Sequence, residues 1–159
     1  MPSLTLDWEP LQQLLDDGVE DLLAAHWEEV ACDKMEIPLA PDWERAFRLQ
    51  REEVLWTAAL RKNGRLIGYN AFHVTPHIHY RHTIHAVNDV IFLDRDERGF
   101  AGVRLVRGTE QLLKQLGVEK VMYRSKRHVM VGHAKTSTIG DMLARMGYRH
   151  DEDVYSRLL

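Results

Sequence analysis

The sequence predicts an α/β (α+β) fold, with one mixed, mostly antiparallel central sheet and helices on both faces. Three observations carry this expectation. Segments of strand and helix character alternate in the order β, α, α, β, β, β, α, β, α, β across the 159 residues. Asn63-Gly64 stands between two apolar runs, and both residues tolerate the positive φ of a tight hairpin. Residues 88–116 read as a buried strand (NDVIFL), a charged turn with Gly99 and Gly102, and a helix carrying Val103, Val106, Leu112, Leu113 and Leu116 at helical spacing.

Each element has its own signal. Residues 3–6 suit a short strand. Pro10 fits a helix N1 position, with Leu11, Leu14 and Leu15 following on one face. Gly18 interrupts that pattern, and Asp17 with Glu20 forms a capping-box arrangement for a helix over 18–31. Pro38 and Pro41 bound a loop, and Asp42 caps a helix over 43–52. Residues 54–61 and 66–75 are the two arms of the Asn63-Gly64 hairpin. Residues 76–82 (PHIHYRH) read as a polar connection to a third strand over 83–93. The helix over 102–116 stops at Gly117, a good C′ residue. Residues 118–124 form a strand reached over a helix, hence expected to be parallel to a neighbour. A short helix over 138–146 ends at Gly147, and a last strand is expected near 153–158.

Composition narrows the class. The chain is 45% hydrophobic and 28% charged, as expected of one globular domain over 1–159. A net charge of −3 gives no broad basic field for nucleic acid. The one cysteine, Cys32, rules out a disulfide framework or a cysteine metal cluster. The first residues lack the pattern of a signal peptide, and no apolar run is long enough for a membrane span, so a cytoplasmic location is expected. Edge strands and tryptophans make a homodimer an expected assembly.

The strand–turn–helix over 88–116 is the most informative stretch. A helix entered through a Gly-containing, Arg-bearing turn presents amides without intrahelical partners, and its dipole favours an anion there. The segment Arg98-Gly99-Phe100-Ala101-Gly102-Val103, five residues after Leu93, resembles the Arg-Gly-x-Gly-x-Gly signature of the GCN5-related N-acetyltransferase (GNAT) superfamily. Ala101 and Val103 stand where that signature has its second and third glycines. A second stretch, MLARMGYRHDEDVYSRLL, resembles the family's closing helix and last strand, with Gly147-Tyr148 in place of Gly-Phe. The stretches WEEVACDKMEIPLAPDW and YRHTIHAVNDVIFLDRDERG look most like the phage- and prophage-encoded branch.

The resemblance implies acetyl transfer from acetyl-coenzyme A to a primary amine. It also implies that the central strands splay and that the thioester lies in the gap. The cofactor would be held by Ile91, Phe92, Leu93, Arg98, Gly99, Phe100, Ala101, Gly102, Val103 and Arg104. Many members carry a carboxylate four residues before the end of the central strand, which here is Asp89, the expected base or ammonium anchor. The family's usual acid, a Tyr four residues before the Gly-aromatic pair, is Leu143 here. Tyr155 and Ser137 are weak substitutes.

Other side chains are candidates on their own chemistry. Five of the nine histidines fall between residues 73 and 85. On a regular strand His85 shares a face with Val87, Asp89 and Ile91, and it is the second catalytic candidate, as a proton relay. His73, on the neighbouring strand, Asn88 and Trp27 are candidate substrate-binding residues. His77-x-His79 has a spacing that metals use, but neither a cysteine nor an acid completes a set, so no metal is expected. The basic loop over 125–137 would suit an anionic partner. Two rival readings are kept open. One is a GNAT-fold binding protein without catalysis; the other is an acyltransferase whose acceptor is a modified nucleobase amine in DNA.

Overall fold

The computed structural model describes residues 3–126 and 139–159. The chain falls into two compact units, residues 1–124 and 125–159. The expected basic loop and Ser137 lie largely or wholly outside the described residues.

The first unit contains β1 (Leu4–Trp8), α1 (Leu11–Asp16), α2 (Val19–Val30), α3 (Trp43–Arg51), β2 (Leu55–Lys62), β3 (Arg65–His77), β4 (Tyr80–Leu93), a 3-10 turn (Arg95–Glu97), α4 (Phe100–Gln115) and β5 (Lys120–Met122). The strands form one sheet in the order β1-β2-β3-β4-β5. The first three pairings are antiparallel, and β4 with β5 is parallel, as the crossover through α4 requires. The β2–β3 turn has Asn63 at φ 51° and Gly64 at φ 83°, the geometry an Asn-Gly hairpin needs.

The two faces of the sheet bury different helices. On one, Leu11 and Leu14 of α1, Val19 of α2, and Trp43 and Phe47 of α3 pack with Ala59, Tyr69 and Phe92. On the other, Ala101 and Leu105 of α4 pack with Leu60, Ile67 and Leu93. Farther along α4, Leu113 meets Phe72 and Ala86. Each fully buried Leu or Ile here contributes roughly 1.5–3 kcal/mol of hydrophobic stabilisation before conformational entropy is counted.

Four elements differ from expectation. The N-cap of α2 is Gly18, at φ 83°, with no side-chain cap. Asp17 is engaged elsewhere: its carboxylate accepts from Gln13 Nε2 at 2.8 Å and from an Arg61 Nη at 2.5 Å. The stretch 76–82 is mostly strand, because His77 pairs with Tyr80 across a tight turn at Ile78 and His79. Helix α4 begins at Phe100 rather than at residue 102, with Gly99 as its N-cap. In the second unit, α5 (Ile139–Arg145) closes through Gly147 at φ 93°, and Tyr148 N–H donates to Leu143 O at 3.0 Å. The strand expected near 153–158 is absent: residues 149–159 have no regular structure, and Val154 and Tyr155 are exposed. A strand-prone run without a partner ladder does not form a strand.

Candidate functional site

Strands β4 and β5 pair only briefly. His85, Ala86 and Val87 lie opposite Lys120, Val121 and Met122, and there the ladder ends. Strand β4 runs on to Leu93, so its edge over 88–93 has no β5 partner. The strands part at Asn88 and Tyr123.

A buried polar network occupies the parting point. Asn88 Nδ2 donates to Asn70 Oδ1 at 2.9 Å, and also lies 3.0 Å from Ala71 O and 3.1 Å from Val90 O. Asn70 Nδ2 donates to Tyr123 Oη at 2.9 Å and to Thr109 Oγ1 at 3.3 Å. Thr109 in turn donates to Leu105 O at 2.7 Å. Asn70, Asn88 and Thr109 are buried. The expected substrate residue Asn88 is therefore committed to tying β3, β4, α4 and the end of β5 together.

Asp89 follows at once, in a β-bulge. Ala71 is opposite Val90 and Phe72 is opposite Asn88, so Asp89 has no partner on β3. The bulge also changes the phase of the strand. Ala86 and Asn88 face α4; beyond the bulge it is Ile91 and Leu93 that do so, while Val90 and Phe92 face α1–α3. His85, Val87 and Asp89 thus share a face as expected, but Ile91 has moved to the opposite one. An acid inside an apolar strand avoids burial by this device: Asp89 is exposed.

Two residues of β3 share the face of Asp89. His73 is half-buried opposite Val87. Tyr69 was not among the sequence candidates. Its ring is core, yet its hydroxyl is buried with no hydrogen-bond partner among the described residues. Burial pushes the Tyr69 hydroxyl above its ordinary pKa, and the Asp89 carboxylate pushes it further. The sequence signal that could have found it is register: Tyr69 is two residues from Ala71, whose partner adjoins Asp89.

His85 stands apart from this group. It lies four residues up the strand from Asp89, roughly 13 Å by strand rise. Its ring is buried beside His77, with centroids 4.8 Å apart, and near Tyr80 at 6.4 Å. Burial, then His77 and Lys120, lower its pKa, and its Nδ1 lacks a partner. The His79 ring lies tilted against that of His77, with centroids 5.7 Å apart, and among the described residues no three His, Cys, Asp or Glu side chains are placed to hold a metal.

The turn after β4 is built from local polar contacts. Asp94 accepts from the Asp96 amide at 3.4 Å and caps the 3-10 turn. Gly99, at φ 105°, brings the chain into α4 with no side-chain cap. The first amides of α4, at Phe100 and Ala101, therefore have no intrahelical partner, whereas Gly102 N–H already donates to Gly99 O. Phe100 and Arg104 are exposed and Val103 is half-buried. Arg98 is held by Glu29 of α2, through hydrogen bonds of 2.8 and 2.7 Å, and by Leu93 O at 3.2 Å. Trp27, also on α2, is half-buried with Lys34 Nζ 5.2 Å over its ring. In the second unit Leu143 is buried and Tyr155 exposed.

No known protein-family model matches the sequence, and neither does any curated protein. Solved structures do match. A GNAT family acetyltransferase from Staphylococcus aureus is 14% identical with a TM-score of 0.63, and 99% of each chain is covered. The ribosomal-protein-alanine N-acetyltransferase of Brucella melitensis is 14% identical with a TM-score of 0.61, covering 99% of this chain and 98% of that one. The glucosamine-6-phosphate N-acetyltransferase of Arabidopsis thaliana is 11% identical with a TM-score of 0.64, covering 98% of both chains. Such identities speak to the fold, and the fold is GNAT-like: a five-stranded, mostly antiparallel mixed sheet with helices. Among the described residues no helix is long and apolar enough to cross a membrane.

Proposed function

We propose that the chain is an N-acyltransferase that moves the acetyl group of acetyl-coenzyme A to a primary amine. One observation carries this reading: the edge of β4 beyond its β5 pairing has an exposed carboxylate at one end, Asp89, and is followed at the other, past Gly99, by a helix N-terminus without a side-chain cap. The acceptor ammonium and the phosphates of an acyl-coenzyme A would thus find matching chemistry at opposite ends of the 89–100 stretch. Acetyl-coenzyme A supplies an activated acyl thioester. The residues fit it: backbone over 91–93 for the amide-bearing arm, and the Phe100 and Ala101 amides with Arg104 for the phosphates.

The chain's own residues would then act on the acceptor. An amine arrives as an ammonium ion, and Asp89 receives or anchors that charge, directly or through water. The network of Asn88, Asn70 and Tyr123 keeps the strand edge open. His73 and Tyr69 border Asp89 on the acceptor side. His85 is too far up the strand for direct contact and would serve the shape of the hairpin or a longer relay. The phage-type resemblance rests on the sequence stretches 27–43 and 80–99 alone, and a cytoplasmic location remains part of the proposal.

Coenzyme A release from acetyl-coenzyme A, assayed across a panel of primary amines, tests the reading. Expected is acceptor-dependent release and micromolar binding of acetyl-coenzyme A by calorimetry. The absence of binding at high micromolar concentration would overturn it. Binding without turnover on any acceptor would favour the rival reading of a binding protein, which Leu143 in place of the usual Tyr acid supports. Salt-sensitive turnover on DNA would favour a nucleobase amine as acceptor.

A further inference from the structure

Arg98 is the cation that the resemblance assigns to the cofactor, and in the structure its charge is already matched. Both carboxylate oxygens of Glu29 accept from its two Nη atoms, at 2.8 and 2.7 Å, while Nε donates to Leu93 O at 3.2 Å. Three of its five N–H donors are thereby engaged. Its guanidinium also lies 5.6 Å from the Phe92 ring centroid. The Glu29 side chain is only 10% exposed, and Arg95 Nε approaches it at 3.5 Å. The Arg98 hydrogen bonds hold the Glu29 carboxyl below its usual pKa. A charged and shielded anion is therefore bonded to the residue just before the Gly99 cap.

We propose that Glu29 is a positioning residue that limits how tightly the turn at Arg98 and Gly99 binds the phosphates of an acyl-coenzyme A. The inference rests on the acyltransferase reading above. In the free protein the site carries its own anion. A phosphate arriving at the Phe100 and Ala101 amides meets a guanidinium whose charge is balanced. Either the Glu29–Arg98 pair opens, leaving Glu29 to Arg95 alone, or Glu29 and the phosphate share the Arg98 guanidinium. The first loses two charge-assisted hydrogen bonds, and the second sets like charges close together in a poorly solvated place. Both lower affinity. The same pair fastens α2 to the end of β4, so Glu29 trades phosphate affinity for a fixed turn.

Calorimetric titration of acetyl-coenzyme A into the full chain tests this, comparing wild type with Glu29→Gln and Arg98→Gln. Glu29→Gln is expected to bind about tenfold more tightly, the scale of one close charge pair. Arg98→Gln is expected to bind more weakly than wild type. Thermal unfolding without ligand checks that each variant is folded. Glu29→Ala, measured alongside, keeps the test decisive if the amide disturbs α2. Unchanged or weaker binding by a folded Glu29 variant overturns the proposal, as does loss of the fold in both. If wild type and all variants fail to bind, it is the acyltransferase reading that falls.

Discussion

Asn88 and Asn70 share a side-chain hydrogen bond of 2.9 Å at the residue where β4 loses its β5 partner. The bond joins β4 to β3, and Asn70 carries the link on to Tyr123 Oη, just past the end of β5. Asn88→Ala would leave Asn70 Oδ1 without this donor and would remove the contact to the carbonyls of Ala71 and Val90. The expected loss is about 2–4 kcal/mol, read as a lower urea midpoint at unchanged slope.

Asp89 is expected to behave in the opposite way. It is exposed and has no partner in the ladder, so Asp89→Ala should leave stability within about 0.5 kcal/mol of wild type. Turnover on the best acceptor should fall by about 10²–10⁴-fold, the range for one general base, with acetyl-coenzyme A affinity kept. Full turnover by Asp89→Ala would remove Asp89 from the mechanism.

Tyr69→Phe separates a ligand-directed hydroxyl from a structural one. The native hydroxyl is buried without a partner, so its removal should cost nothing or stabilise slightly. Urea unfolding reads this directly. A loss above about 1 kcal/mol would show that the hydroxyl is hydrogen-bonded in solution.

The histidine cluster predicts a pH dependence. Burial holds His85 below its ordinary value of 6.5 in the fold, with His77 and Lys120 acting in the same direction and Glu119 against. The unfolded chain therefore takes up the proton first, and stability should fall as pH drops below 6.5 towards the folded value. Tyr80 is the other ring facing His85. Thermal unfolding between pH 5 and 7.5 should show a smaller slope for His85→Phe than for wild type. Equal slopes would refute the assignment.

Gly68 marks a close strand approach. A Cβ there would lie 2.7 Å from the Phe92 carbonyl oxygen, a backbone atom that cannot turn aside. Gly68→Ala should destabilise by about 1–3 kcal/mol, as a midpoint shift in chemical denaturation.

The sheet was legible because its signals are local. Asn63-Gly64 pins one hairpin, and the apolar runs on either side mark its two arms. Asp42 was legible as a cap, since the Arg45 amide that it accepts from is three residues on. The site was legible in part. Asp89 could be picked out as an acid among apolar residues, but AVNDVIFL shows no break where the bulge lies, so the change of face at Ile91 was hidden. Long-range partners were hidden for the same reason. Glu29 and Arg98 are 69 residues apart, and neither looks unusual in its own helix or turn. The Asp17–Glu20 box misled because Arg61, 44 residues away, captures the Asp17 carboxylate.

The pairing on either side of Asp89 gives it a particular standing within the chain. Val90 already sits where the residue after Asn88 would sit in an uninterrupted ladder with Ala71 and Phe72. Asp89 is thus an insertion in the arithmetic of the strand. Removing a ladder-paired residue between Ile84 and Leu93 would turn the rest of the strand inside out; removing this one would straighten it and leave Val90 to Leu93 on the faces they now occupy. The carboxylate is a passenger that the sheet does not require, so what it is kept for can be sought by deletion as well as by substitution.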